Sequence, residues 1–286
     1  QQSSSAASDV YKRQIKCIGI PKTIDNDLPY TDCSPGFGSV AKYIATSTLE
    51  AGLDVKSMAE TSTKVFILEV MGRHAGWIAA ASCLAASKAG DPPHIILLPE
   101  VPFQKGKFLA QVKQMIKEYG YCVIVASEGT QTINGKFLAD SGLTDAFGHK
   151  QLGGVAPILA GMISKIGFKN HWAVADYLQR SARHIASKTD LDQAYAVGEH
   201  AVKLAISGKT AVMPIIKRIS NSPYKWKIET APLKYVANVE KTIPKKFISK
   251  NGFEITQAGK KYLSPLIKGE TSIKYKNCLL YTSPSP

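Results

Sequence analysis

Runs of consecutive apolar and β-branched residues, separated by segments with helical spacing, constrain the fold of this chain more than any other feature. Such runs are typical of parallel strands that helices cover on both faces. Strands that alternate with helices predict an α/β fold with doubly wound, mostly parallel sheets. Pro214 predicts an edge position for the last run, because proline donates no hydrogen bond to a strand ladder. The predicted strands are 15–20, 63–70, 94–98, 121–126 and 212–216.

The segments between these runs predict the helices and one irregular region. Thr189 and Asp190 open the last helix, with Gln193 as a capping-box partner and Gly208 near the end. Residues 130–148 hold several glycines and turn formers, which favour a loop or a short hairpin. The other predicted helices are 36–53, 77–88, 108–119 and 155–163.

An acidic loop, Pro21-Lys22-Thr23-Ile24-Asp25-Asn26-Asp27-Leu28, follows the first predicted strand. Ligands bind at the carboxyl ends of strands in open α/β sheets. Two carboxylates beside a lysine and a hydroxyl offer a base and positive charge, which phosphoryl transfer to an alcohol needs. The alternative is an Asx-rich turn whose side chains satisfy their own backbone.

Three more polar groups follow predicted strands or precede a helix. Met71-Gly72-Arg73 offers backbone N–H groups and a guanidinium to an anionic sugar phosphate, or forms only a tight turn. Glu100 is either an acceptor for sugar hydroxyls or an ordinary acid at a strand end. In Tyr177-Leu178-Gln179-Arg180, the arginine is either a bidentate phosphate clamp or a surface residue.

Composition narrows the class of protein. The chain has 286 residues and a formal net charge of +14, which raises the question of nucleic acid. Its lysines are scattered and do not alternate with aromatic residues, so a basic cleft for phosphorylated small molecules explains the sign equally well. The chain has no apolar run of roughly 20 residues and no signal-peptide pattern. The five cysteines form no Cys-x-x-Cys pair. We therefore expect a cytoplasmic protein with no membrane or nucleic-acid partner.

The two ends differ in character from the rest of the chain. Residues 1–14 form a small-polar tract, and residues 278–286 break off from the preceding pattern. Both ends resemble translated adapter read-through, so we expect them to be non-native tails around a native segment of 15–277.

The order of four motifs resembles the phosphofructokinase family, and most closely its pyrophosphate-dependent members. The resemblance covers nearly all of 15–277. The motifs are Pro-Lys-Thr-Ile-Asp-Asn-Asp at 21–27, Met-Gly-Arg at 71–73, Pro-Glu at 99–100 and Tyr-Leu-Gln-Arg at 177–180.

This resemblance implies transfer of a phosphoryl group from pyrophosphate to the 1-hydroxyl of fructose 6-phosphate, with Mg²⁺ as cofactor. Asp25 is then the general base, and Thr23 and Ile24 lie by the reacting groups. Asp27 faces the Mg²⁺ side. Lys22 stands where ATP-dependent relatives commonly have glycine, so it indicates pyrophosphate as the donor.

The resemblance also implies how the sugar phosphate is held. Met71, Gly72 and Arg73 would hold the sugar phosphate and Glu100 its hydroxyls. The 6-phosphate end would be held by Tyr177, Leu178, Gln179 and Arg180. Lys64 corresponds to a residue that reaches a neighbouring subunit's site, so we expect at least a homodimer.

The expected architecture has two doubly wound lobes with the active site between them. Residues 36–177 would form the sugar-phosphate lobe, and 15–35 with 178–277 the donor-side lobe. The family's glycine-rich loop, which supplies the main Mg²⁺ ligand, does not precede Ile15. We therefore expect that ligand outside this chain, and we predict that the chain as written is inactive.

Two other functions remain open at this point. One is an ATP-dependent phosphofructokinase on the same fold. The other is a non-catalytic sugar-phosphate sensor, for which a positioned base such as Asp25 would have little use.

Overall fold

A four-stranded parallel sheet forms the centre of the molecule. The computed structural model describes residues 15–144, 150–152 and 154–271. The strands of the central sheet follow the order β2–β3–β1–β6, and every neighbouring pair is parallel. They are β1 (Val65–Val70), β2 (Ile95–Leu97), β3 (Cys122–Ser127) and β6 (Asn170–Val174). This confirms the predicted α/β class with a parallel sheet.

Helices cover both faces of this sheet. Consecutive strand residues point to opposite faces, so Leu68 packs with Phe37 of α1 on one side, while Ile67 belongs to the cluster that contains Phe108 of α3 on the other. The helices are α1 (Phe37–Met58), α2 (Trp77–Ala81), α3 (Lys105–Tyr119), α4 (Val155–Ser164), α5 (Asp176–Ser181), α6 (Lys188–Ile206) and α7 (Gln257–Leu263).

Two antiparallel pairs lie outside the central sheet. The strands β7 (Val212–Asn221) and β8 (Tyr224–Pro232) form one pair. With Pro214 opposite Thr230 in a two-stranded ladder, the predicted edge position is confirmed. The strands β4 (Asp140–Thr144) and β5 (Lys150–Leu152) form the other, which agrees with the hairpin expected within 130–148; residues 145–149 lie outside the described ones.

The predicted strand at 15–20 is wrong. Ile18 forms one isolated bridge to Val212, and Ile15 and Ile20 are 59% and 58% exposed. Among the described residues its backbone hydrogen bonds join Gly19 to Val212 of β7 and Cys17 to Ala211 just before β7, while Leu233 lies against Gly19. These are too few ladder bonds for a strand.

Two local predictions also need correction, and two strands were not predicted. The capping box is wrong, because Ser187 caps α6 by accepting the Asp190 N–H, while Gln193 bonds to the Tyr224 hydroxyl. The helix at 77–88 ends at Ala81 and continues as a 3₁₀ turn, Ser82–Ala85. The strands β6 and β8 carry charged and polar residues between apolar ones, and their runs were too mixed to be predicted.

One apolar cluster joins the two predicted lobes. Phe37 and Ile44 of the expected sugar-phosphate lobe belong to it together with Val197, Ile216 and Leu263 of the expected donor-side lobe. The division into lobes stays a prediction, and both expected tails lie outside the described residues. No helix in the described part of the chain is long and apolar enough to cross a membrane.

Candidate active site

A cleft of about 820 Å³ opens where the acidic loop meets the carboxyl ends of β1 and β3. It brings together residues of the predicted loop, of the turn after β1 and of α5. This is the edge at which parallel sheets bind ligands. The lining residues are Lys22, Thr23, Ile24, Asp25, Pro35, Gly36, Met71, Glu128, Arg180, Ser181 and Ala194.

The acidic loop is held in one shape by a buried asparagine. Asn26 has a φ of 54° and is fully buried. Its Oδ1 accepts the Ser34 N–H at 3.0 Å. An asparagine tolerates this left-handed conformation better than most residues do, so the chain can reverse between Asp25 and Asp27.

Thr23 supports Asp25 from within the loop. The Thr23 Oγ1 accepts the Asp25 N–H at 3.1 Å and lies 3.5 Å from Asp25 Oδ2. The turn-forming contact that the sequence left as an alternative is therefore present. It involves the backbone of Asp25, whose carboxylate still lines the cleft.

Burial raises the pKa of the Asp25 carboxyl above its usual value of 3.8, and the nearby Asp27 carboxylate raises it further. The Thr23 hydrogen bond and the positive charges of Arg73 and Lys22 act in the opposite direction. A carboxylate whose pKa is raised towards neutrality is a better proton acceptor than an ordinary surface aspartate.

The turn after β1 is built tightly against its neighbours. Gly72 has a φ of 129°, and a Cβ there would lie 2.7 Å from the Ala75 carbonyl oxygen, which explains the glycine. The Met71 N–H donates to Gln179 Oε1 and the Gly72 N–H to Glu128 Oε1, each at 3.3 Å. These two N–H groups are thus satisfied within the protein. Arg73 is not among the residues that line the cleft, but its Nε is buried without a hydrogen-bond partner, and its charge acts on the carboxyls of Asp25 and Glu128.

Glu128 lines the cleft and was not predicted. Burial raises the pKa of its carboxyl, the Gly72 N–H and the Arg73 charge lower it, and Asp25 raises it. It lies two residues after the predicted strand 121–126 and directly after β3, and a position just past a strand is the signal that also marked the Met71 turn. A single acid at a strand end was too common a feature to single out.

Glu100 does not line this cleft. Its Oε1 accepts the N–H groups of Gly76 and Ile243, both at 3.0 Å, and its Oε2 is buried without a hydrogen-bond partner. Burial raises the pKa of this carboxyl as well. In this structure Glu100 links the turn after β1 to the 241–243 segment. Its role as an acceptor for sugar hydroxyls stays a prediction.

The four residues of the Tyr-Leu-Gln-Arg motif divide between structure and cleft. Gln179 is buried, accepts the Met71 N–H and donates to the Asp176 carbonyl oxygen at 2.9 Å. Arg180 lines the cleft, with its guanidinium 4.0 Å from the centre of the Tyr177 ring. Tyr177 and Leu178 are 61% and 66% exposed.

Lys64 lies at the opposite end of β1 from the cleft. Its Nζ donates to the Ala59 carbonyl oxygen at 2.7 Å. Six strand residues separate it from Met71, a distance of roughly 20 Å along the strand. Lys64 therefore cannot serve the cleft of its own chain.

Asp27 lines a neighbouring depression of about 750 Å³ together with Leu28 and Leu233. In the described part of the chain, no three His, Cys, Asp or Glu side chains stand close enough to hold a metal ion by themselves. Mg²⁺ in phosphate sites often takes only one or two protein carboxylates and completes its shell with water and phosphate oxygens. The acidic loop, in which Asp27 affects the pKa of Asp25, fits such a role.

The fold and the cleft define an α/β protein with a site for an anionic ligand. The chain belongs to the phosphofructokinase family, whose model matches residues 1–205. It is 64% identical over 266 residues to the pyrophosphate--fructose 6-phosphate 1-phosphotransferase of Halomonas elongata, which covers 93% of this chain and 64% of that protein.

Two solved structures of similar proteins share the fold. The pyrophosphate-dependent phosphofructokinase of Marinobacter aquaeolei is 58% identical, with a TM-score of 0.83 over 93% of this chain and 64% of that one. The enzyme of the same name from Nitrosospira multiformis is 55% identical, with a TM-score of 0.85 over 96% and 65%. The present chain thus spans slightly less than two thirds of the length of these relatives.

Proposed function

We propose that the protein containing this chain transfers a phosphoryl group from pyrophosphate to the 1-hydroxyl of fructose 6-phosphate. The observation that carries the proposal is Asp25, a half-buried carboxylate of raised pKa that lines a cleft together with Lys22 and Arg180. A base flanked by cations matches the needs of phosphoryl transfer to an alcohol. The names of the relatives reported above support the same reaction.

In this reaction Asp25 accepts the proton of the sugar hydroxyl as the phosphoryl group arrives. The Thr23 hydroxyl holds the Asp25 backbone in place, and Lys22 places positive charge beside the transferring group. Asp27 of the acidic loop would help to hold Mg²⁺ through water, and the ion, when bound, would supply further positive charge to the phosphoryl oxygens.

The sugar phosphate would be bound by cations on the other side of the cleft. Arg180 lines the cleft with Asp25 and Glu128, and Arg73, with its unpartnered Nε, lies close enough for its charge to act on both carboxyls. A guanidinium binds phosphate in a bidentate manner. Glu128, which lines the cleft, can accept hydrogen bonds from sugar hydroxyls. Tyr177 and Leu178 extend the rim towards the 6-phosphate.

Lysine at position 22 supports pyrophosphate over ATP as the donor. It lines the cleft at the start of the acidic loop. A lysine there fills room that a nucleotide would need and gives a point charge to a small, highly charged donor.

The position of Lys64 supports a homo-oligomer. Because Lys64 lies at the far end of β1, the acceptor site that it would serve must belong to a neighbouring subunit. Lys169, whose Nζ donates to Ser62 Oγ at 2.9 Å, lies at the same end of the sheet. We therefore propose at least a dimer, and a cytoplasmic location that suits a small-molecule phosphotransferase.

The test is an assay of fructose 1,6-bisphosphate formation by the complete gene product, with Mg²⁺ and either pyrophosphate or ATP. We expect turnover with pyrophosphate and none with ATP. Asp25→Asn should lower kcat by about 1,000-fold or more while the affinity for fructose 6-phosphate changes little. Asp54→Asn, on the exposed side of α1, is the matched control and should behave as wild type.

The other outcomes separate the alternatives. Turnover with ATP alone would show that ATP is the donor and would leave the proposed role of Asp25 unchanged. Binding of fructose 6-phosphate without turnover by either donor would favour the sensor. The 286-residue chain assayed in parallel should show no turnover.

A further inference from the structure

A short segment, 241–243, links two segments of the site, the acidic loop and the turn that follows β1, and contacts both of them. Its residues are Lys241, Thr242 and Ile243, and none of them lines the cleft. Any effect of this segment on the reaction must therefore act through other residues.

The side chain of Lys241 is held entirely by oxygens of the acidic loop and the residues after it. Its Nζ donates to Asn26 Oδ1 at 3.3 Å and to the carbonyl oxygens of Thr31 and Asp32, each at 2.9 Å. All three acceptors are neutral. A lysine that uses its three donors on three neutral acceptors of one segment fixes that segment's shape.

The Lys241 backbone adds a fourth contact to the same loop. Its N–H donates to the Asp27 carbonyl oxygen at 2.6 Å. Asn26, the other residue gripped by Lys241, has a φ of 54° and lies between Asp25 and Asp27. A residue other than glycine keeps such a left-handed backbone conformation only when its surroundings fix it. Lys241 supplies much of that fixation, since its ammonium and the Ser34 N–H share the same Asn26 oxygen.

The opposite side of the segment grips the turn after β1. The Lys241 carbonyl oxygen accepts the Trp77 Nε1–H at 2.8 Å, and its Nζ lies 5.6 Å from the centre of the Trp77 ring. Trp77 is the first residue of α2. Two residues on, the Ile243 N–H and the Gly76 N–H share Glu100 Oε1, at 3.0 Å each.

We propose that Lys241 is a positioning residue that fixes the Asp25 loop relative to the Met71–Gly76 turn. This rests on the proposed function, in which Asp25 is the base and this turn carries Arg73. The proton acceptor and the sugar-phosphate clamp come from segments that lie far apart in the chain. Lys241 sets the distance between them, because its side chain bonds to Asn26 and to the carbonyl groups of 31 and 32, while its backbone carbonyl group holds Trp77.

The charge on Lys241 survives at neutral pH. Burial lowers the pKa of its ammonium to about 8, and the charge of Arg218 acts in the same direction. The nearby Cys33, Asp32 and Asp27 act to raise this pKa. All three Nζ protons are therefore available for the three acceptors at pH 7. Methionine fills a similar volume and offers no donor, so Lys241→Met removes the hydrogen bonds and keeps most of the packing.

The experiment compares Lys241→Met with Lys245→Met in the complete gene product at pH 7. Lys245 is an exposed lysine two residues after this segment and is the matched control. Hydrogen–deuterium exchange is measured first, because it needs no activity. For Lys241→Met we expect exchange about tenfold faster or more at the amides of 26–34 and 71–77, with β3 unchanged. Lys245→Met should match wild type.

Kinetics then test the consequence for the reaction. In Lys241→Met, Asp25 is held less firmly, so kcat should fall by about 10- to 100-fold. KM for fructose 6-phosphate should change by less than about threefold, because the groups that bind its phosphate are not removed. In Lys241→Ala, n-propylammonium should restore part of kcat and tetramethylammonium, which has no N–H, should not.

Two results would overturn the proposal. One is unchanged exchange at 26–34 in Lys241→Met; the other is faster exchange over the whole chain, which would show general destabilisation. Loss of turnover in the wild type with both donors would instead overturn the proposed function, and the exchange data would still decide whether Lys241 fixes the loop.

Discussion

The Glu128 carboxylate accepts the backbone N–H of Gly72 at 3.3 Å, so the end of β3 holds the turn that follows β1. The Glu128 N–H donates in turn to the Val70 carbonyl oxygen at 2.9 Å, and the Ser127 hydroxyl donates to the Gly72 carbonyl oxygen. These three bonds tie two adjacent parallel strands together at the edge where the cleft opens. Glu128, an acid of the site, thereby supports the turn that carries Arg73.

Gly129 is predicted to be indispensable for this arrangement. A Cβ there would lie 1.9 Å from the Arg73 carbonyl oxygen and 2.5 Å from that of Gly72, and neither backbone group can move away cheaply. We expect Gly129→Ala to lower the free energy of unfolding by about 3 kcal/mol or more. Chemical denaturation would measure this change.

Gly106, in the first turn of α3, is the matched control for that substitution. A Cβ at Gly106 would meet no atom within 4 Å. Gly106→Ala should be neutral or stabilise by about 0.5–1 kcal/mol, because alanine loses less backbone entropy in a helix. Equal stability of the two variants would contradict the predicted clash.

Lys22 is predicted to affect the proton acceptor as well as the donor. Its charge lowers the pKa of Asp25, although less than burial raises it. The base must be ionised to act, so the rate should fall as the pH falls through that pKa. Lys22→Met should move this acidic limb of the kcat profile to higher pH and raise KM for pyrophosphate by about tenfold or more. A limb that stays in place would show that Asp25 is not the group that titrates.

Subunit mixing tests the proposed role of Lys64 in a neighbouring site. Lys64→Ala and Asp25→Asn subunits should each be poorly active alone. If Lys64 acts across the interface, a mixed dimer contains one site with both residues intact. Random mixing of equal amounts should then restore about one quarter of the wild-type rate. Mixing two Asp25→Asn samples is the control, and no recovery in the mixed sample would place Lys64 outside the site.

The sequence was sufficient to single out segments that line the cleft. The Asp25 loop, Met71 of the turn after β1 and Arg180 were each marked by a motif, and all three line it, although the strand expected before the Asp25 loop is absent. Lys241 was not predictable, because its role depends on hydrogen bonds to Asn26 and Asp32, which are more than 200 positions away. The hydrogen bonds of Glu100 could not be foreseen for a similar reason, since its partner Ile243 is distant in the chain.

The strand expected at 15–20 shows the limit of local pattern. Its apolar residues are typical of a buried strand, but a strand is stabilised by its neighbours, and among the described residues its backbone hydrogen bonds reach only Val212 of β7 and Ala211 just before it. The four strands of the central sheet have neighbouring strands and covering helices that stabilise them. Three of the four were recognised from the same kind of apolar run.

The ionised Asp25 carboxylate should also lower the stability of the folded protein. Its pKa in the folded state lies above the usual 3.8, so the folded state holds the proton more tightly than the unfolded one. Stability therefore falls as the pH rises from 3.8 through the folded pKa, and at pH 7 the ionised carboxylate costs its full amount. Asp25→Asn removes this cost and should raise Tm at pH 7 by about 2 °C or more.

The difference in Tm between Asp25→Asn and wild type should shrink as the pH is lowered and vanish below about 3.8, where Asp25 is protonated in both states. Asp54→Asn, which changes an exposed aspartate, should show no such pH-dependent gain. A variant that is less stable than wild type at every pH would mean that Asp25 makes a net stabilising contact in its ionised form. A more stable, inactive Asp25→Asn would instead show that the loop holds its base at a cost in stability, as expected for a carboxylate kept for proton transfer.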